Sequence, residues 1–134
     1  MTLVKPLVPL ACIAALGACA TGLMPDKSSV TRGQTIFAKE CSACHGQSGA
    51  LETALATTSA PDLTGLTARN DGAFPRAFVQ RFVLGKIEKE DPDAAMPEFG
   101  TMGLKHAAQD GSPTAEIPPE DMIALLDYIE TLQK

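Results

Sequence analysis

The chain has 134 residues, 16 acidic and 11 basic, for a formal charge of −5, and its aromatic residues are five Phe and one Tyr with no Trp. Such a length holds one domain of about a hundred residues beside a leader, and the core of so small a domain is limited. The negative balance, without any basic run, excludes a nucleic-acid backbone as a partner.

Residues 1–18 read as a signal peptide. Lys5 is the only charge before Asp26, and Leu7 to Leu16 is an almost unbroken apolar run, too short to cross a bilayer as a stable helix. Leu16-Gly17-Ala18-Cys19 resembles the lipobox of bacterial lipoproteins. The resemblance implies that Cys19 is acylated, becomes the mature N-terminus and holds the domain at the periplasmic side of a bacterial membrane. Ordinary cleavage after the A-x-A site Ala18-Cys19-Ala20 is the alternative and leaves a soluble periplasmic protein. An uncleaved anchor is a third. Residues 19–29 read as a tether, with Gly22, Pro25 and two serines and no periodicity.

Residues 30–134 form the mature domain. Val30 to Cys44 is expected to be helical, with Thr31 as N-cap. Gly33, Phe37 and Cys41 recur every four residues beside Ile36 and make one apolar face. A glycine in a helix costs about 1 kcal/mol against alanine. Gly33 either carries that penalty as noise or lets another helix cross closely.

Cys41-Ser42-Ala43-Cys44-His45 is the C-x-x-C-H pattern of c-type haem attachment. Residues i and i+3 of a helical turn share a face, so both thiols can reach the vinyl groups on one porphyrin edge. His45 then offers an imidazole nitrogen to the iron. Two rivals use the same residues. A zinc knuckle needs four ligands, and the mature chain has only His106 to add. A redox thiol pair of thioredoxin type would sit beside a βαβ pattern, which the sequence lacks. With Cys12 lost in the leader, Cys19 lipidated and Cys41 and Cys44 on haem, no cysteine is left for a disulfide.

Gly33-x-x-x-Phe37-x-x-x-Cys41-x-x-Cys44-His45 resembles the N-terminal helix and haem motif of class I c-type cytochromes. The likeness extends from about Val30 to Leu132. It implies an all-α fold, the small cytochrome c fold, in which the N- and C-terminal helices cross and one covalent haem c fills the core. Gly33 and Phe37 would pack against a final helix carrying Leu125 and Tyr128.

Gly46 to Arg69 is expected to be loop, with a weak helical turn at Glu52 to Thr58 and Leu63 and Leu66 near the haem edge. Ala60-Pro61-Asp62-Leu63 resembles the family's loop on the histidine side. There a proline carbonyl accepts a hydrogen bond from the far nitrogen of the ligand histidine, which fixes the ring and raises its basicity. Pro61 takes that role by resemblance; the alternative is a plain turn proline.

Asp71-Gly72-Ala73-Phe74-Pro75 opens the next helix. Phe74, Phe78 and Phe82 fall at i, i+4 and i+8 beside Val79 and Val83, and Gly85 ends the helix. Arg76 and Arg81 on its flank either meet haem propionates or are solvated. Glu88 to Asp93 is acidic, either a solvated connection or a docking patch for a basic partner.

Met96-Pro97-Glu98-Phe99-Gly100 resembles the family's distal loop and implies Met96 as the second axial ligand. A thioether favours ferrous iron and raises the reduction potential. Met102 and His106 are rivals for that position. Thr101 to Glu116 is longer than a compact member needs, with a turn at Gly111-Ser112-Pro113. Pro118-Pro119-Glu120-Asp121 starts the last helix, whose stripe is Met122, Leu125, Leu126, Ile129 and Leu132.

Histidine and methionine together saturate the iron, so the expected function is single-electron transfer between a redox protein donor and acceptor, as a shuttle or subunit of a bacterial respiratory or other redox chain. The alternative is a haem peroxidase or gas or redox sensor, in which Met96 leaves the iron. A zinc or redox-thiol module comes last.

Overall fold

A computed structural model describes residues 25–50, 60–87, 96–104 and 116–134. The leader, Cys19, the tether as far as Met24, the Glu52–Thr58 turn, the acidic loop, His106 and the Gly111-Ser112-Pro113 turn lie outside the described residues. Five α-helices follow in order among the described residues: α1 Lys27–Glu40, α2 Ser42–His45, α3 Arg76–Val83, α4 Phe99–Met102 and α5 Pro119–Thr131. No strand occurs among the described residues, and the fold is all-α. None of these helices is long and apolar enough to cross a membrane.

Helix α1 starts three residues earlier than its apolar pattern indicates, inside the expected tether. Thr31 is not its cap. The Thr31 hydroxyl donates to the Lys27 carbonyl (2.9 Å), and Thr35 does the same to Thr31 (3.1 Å), so these side chains satisfy carbonyls within the helix. The first turn is fixed from a distance: the Ser29 hydroxyl donates to the Asp127 carboxylate of α5 at 2.5 Å. Apolar periodicity carries no trace of such a contact. At its other end α1 breaks at Cys41 (φ −117°) before α2 resumes.

Helices α1 and α5 cross at Gly33. A Cβ there would lie 2.8 Å from Cβ of Tyr128 and closer still to the Ala124 carbonyl oxygen. Only a residue without a side chain permits this approach, so Gly33 serves the crossing. One turn on, the Phe37 and Tyr128 rings pack with centroids 5.4 Å apart and planes tilted by 58°. Phe37 and Leu125 are almost wholly buried, each contributing about 1.5–3 kcal/mol by leaving water. Helix α5 is covered well beyond its apolar stripe, since Ala124, Asp127 and Tyr128 are buried too. It is gripped by α1 and by α3, and only Ile123 among its large apolar residues faces solvent.

Helix α3 begins at Arg76, with Pro75 at the N-cap and Phe74 outside the helix. Gly85 (φ +67°) ends it. The Gly85 amide donates to Phe82 (3.0 Å) and the Lys86 amide to Arg81 (2.8 Å), the bond pair of a helix terminus that needs left-handed backbone. Arg76 is part-exposed and engaged by α5. It ion-pairs with Asp127 and, at 2.9 Å, with Glu130, fastening α3 to α5. Arg81 is exposed.

Candidate cofactor site

The helices leave an apolar cavity of about 200 Å³ between them. Phe37 and Cys41 reach it from the end of α1, His45 from α2, and Leu125 and Ile129 from α5. Pro61, Leu63 and Leu66 close one side, Phe78, Val79, Phe82 and Val83 of α3 another, and Met96 completes the wall. Phe78 lines the cavity although it is 52% exposed.

The polar chemistry of the wall is concentrated in His45. The ring is buried, with Nδ1 3.0 Å from the Pro61 carbonyl oxygen. A carbonyl can only accept, so Nδ1 carries the proton and Nε2 keeps its lone pair. Burial holds the imidazole below the usual histidine range, although the bond to Pro61 works the other way. The group is therefore a neutral imidazole at neutral pH, the form that binds metals.

Of the two thiols, Cys41 lies in the wall and Cys44 is exposed beside it. Burial first, then the neighbouring Glu40 and Cys44, pushes the Cys41 thiol up to about 12. Before attachment it is thus a protonated, apolar group. Met96 is half-buried and lines the cavity, whereas Met102 is 42% exposed and is not among the lining residues. Met122 is core.

The Pro61 loop is shaped by its own side chains and by the chain terminus. The Asp62 carboxylate accepts from both the amide and the hydroxyl of Thr64, each at 2.7 Å, and these bonds hold it below the usual carboxylate range. The Leu63 amide donates to the Gly49 carbonyl (3.0 Å). Gln133 and Lys134 bond to the same loop from beyond α5. Sequence reasoning missed Gln133, and it missed the Ser29–Asp127–Arg76 cluster. Their partners lie roughly fifty to a hundred residues away in the chain, and no local pattern signals them.

A buried neutral imidazole, a thioether and one cysteine around an apolar cavity, with a second, exposed cysteine three residues on, suit a flat apolar macrocycle with a metal at its centre. Among the described residues no group of three or more His, Cys, Asp or Glu side chains is placed to hold a bare metal ion. The fold and the site thus define a small all-α haem protein. Residues 30–133 match the family model described as Cytochrome c, and the chain belongs to the cytochrome c family. Its cofactor is covalently bound haem c, and its general function is haem-based electron transfer. Family membership sets aside the zinc and redox-thiol readings. Neither the curated proteins nor the solved structures gave a match.

Proposed function

We propose that the protein passes single electrons between redox proteins on the periplasmic side of a bacterial membrane. In this reading Cys41 and Cys44 would hold the haem by thioether bonds, and His45 and Met96 would ligate its iron. Cys19 carries the lipid that keeps the domain at the membrane. When bound, the haem supplies a one-electron couple.

The residues divide the remaining work. His45 presents Nε2, because Pro61 occupies Nδ1 and fixes both tautomer and ring orientation. Met96 offers a soft sulfur in the same wall and biases the couple toward the reduced state. Phe37, Val79, Val83 and Leu125 exclude water and competing ligands. The Leu16-Gly17-Ala18-Cys19 sequence supports the lipid anchor. The observation that carries the reading is the shared position of His45, Pro61, Cys41 and Met96 around one cavity.

The test is expression with export and haem-attachment machinery, then pyridine haemochrome analysis and optical spectra of the wild type and of Met96→Ala, Met102→Ala and His106→Ala. The weak long-wavelength ferric band of sulfur-ligated haem is expected in the wild type and lost only in Met96→Ala. A high-spin wild-type spectrum would instead favour a peroxidase or gas sensor with an open iron site. Mass spectrometry of the mature N-terminus tests the lipid on Cys19; an unacylated terminus at Thr21 would instead mean ordinary cleavage and a soluble periplasmic protein.

A further inference from the structure

Just beyond α5, both polar atoms of the Gln133 side-chain amide are hydrogen-bonded. Its amide nitrogen donates to the carbonyls of Leu63 (2.9 Å) and Ile129 (2.8 Å), and its oxygen accepts from the Thr67 amide (2.9 Å). A side-chain amide has two N–H donors and one carbonyl, so both donors are engaged and the oxygen is too. The partners also fix its orientation. A flipped group would set oxygen against two carbonyl oxygens and nitrogen against an N–H.

The bond to Ile129 is local, to a carbonyl that also accepts from the Leu132 amide (3.1 Å) at the end of α5. The other two bonds cross to the loop that follows Pro61. The next residue adds a third link, from the Lys134 amide to the Thr64 carbonyl (3.0 Å). Within the loop, the carboxylate of Asp62 holds Thr64, and Arg69 donates to the Asp62 carbonyl (2.7 Å). These last bonds shape the loop but do not attach it to the rest of the fold. Among the described residues, the backbone and amide hydrogen bonds that attach it come from Gly49 on one side and from Gln133 and Lys134 on the other, beside the core packing of Leu63 and Leu66. Pro61, which accepts the His45 Nδ1–H, stands at the head of this clamped segment.

We propose that Gln133 is a positioning residue for His45: it locks residues 63–67 onto the end of α5 and so keeps the Pro61 carbonyl on His45 Nδ1. The inference rests on the reading of His45 as the haem ligand. A carbonyl partner on the far nitrogen makes a metal-bound imidazole a stronger donor. A stronger donor favours ferric iron, so loosening the clamp raises the reduction potential.

The experiment uses haem-loaded Gln133→Ala and Gln133→Glu, with Lys134→Ala as a control that keeps the backbone bond to Thr64. The readouts are hydrogen exchange of the His45 ring N–H and the Thr67 amide by NMR, and a redox titration. In Gln133→Ala both protons should exchange about tenfold faster or more. The ferrous-to-ferric ratio at a fixed ambient potential should rise about a few-fold, because a weaker imidazole donor favours ferric iron less. Gln133→Glu, nearly isosteric, should be as severe above its carboxyl pKa, because a carboxylate cannot donate to Leu63 or Ile129. Lys134→Ala should match the wild type. The inference is overturned if Gln133→Ala loses stability but keeps wild-type His45 exchange and potential, or if Gln133→Glu behaves as wild type. A His45→Ala protein that retains the wild-type low-spin spectrum would overturn the ligand assignment itself and the clamp with it, an outcome distinct from the other two.

Discussion

Replacing Gly33 with alanine sets two effects of opposite sign against each other. In an exposed helix the change stabilises by about 1 kcal/mol, through lower backbone entropy in the unfolded chain. At this crossing the new methyl would lie 2.8 Å from Cβ of Tyr128 and nearer still to the Ala124 carbonyl. Neither is the end of a flexible side chain, so α1 as a whole must back away from α5. Overpacking of a core costs about 1–3 kcal/mol, and a clash with backbone belongs at the upper end. The net expectation is a loss of about 1–2 kcal/mol. For a domain of this size that corresponds to a fall in Tm of roughly 5–15 °C. The assay is thermal unfolding of the haem-loaded protein followed by circular dichroism, with Gln34→Ala, at an exposed position of the same helix, as control. An unchanged or raised Tm for Gly33→Ala would refute the close crossing, because helix propensity would then be the only effect acting.

Gly100 lies against the end of α3, where a Cβ would press on the Leu84 carbonyl. Gly100→Ala should therefore shift the segment that carries Met96, weakening or abolishing the sulfur-ligation band while leaving covalent haem intact by haemochrome analysis. Asp127→Ala removes the acceptor of Ser29 and of Arg76; because Arg76 is 38% exposed and keeps Glu130, the expected loss is about 1–2 kcal/mol rather than the cost of stranding a fully buried charge, measurable by urea denaturation. The Asp62 carboxyl is held below the ordinary aspartate value of 3.8, chiefly because Thr64 hydrogen-bonds its carboxylate. Its stabilising contribution is therefore present above 3.8 and lost as pH falls through the folded pKa. The Tm difference between wild type and Asp62→Asn should shrink on acidification through that window, and a gap independent of pH would contradict it.

Whatever depends on spacing along one helical turn was legible in the sequence. The i, i+3 cysteines with the adjoining histidine, the four-residue recurrence of Gly33 and Phe37, and the apolar stripe of α5 all follow from 3.6 residues per turn. They specify an all-α chain with a haem-attachment turn before any contact is known. Tertiary structure decided the features that join distant parts of the chain. Asp127 pins the first turn of α1 through Ser29 and anchors α3 through Arg76. Gln133 grips the loop behind Pro61. Met96, rather than Met102, lines the cavity with His45. A hydrogen bond between residues far apart in the chain leaves no periodic mark, because its existence depends on where the helices come to rest and not on the order of the residues between them.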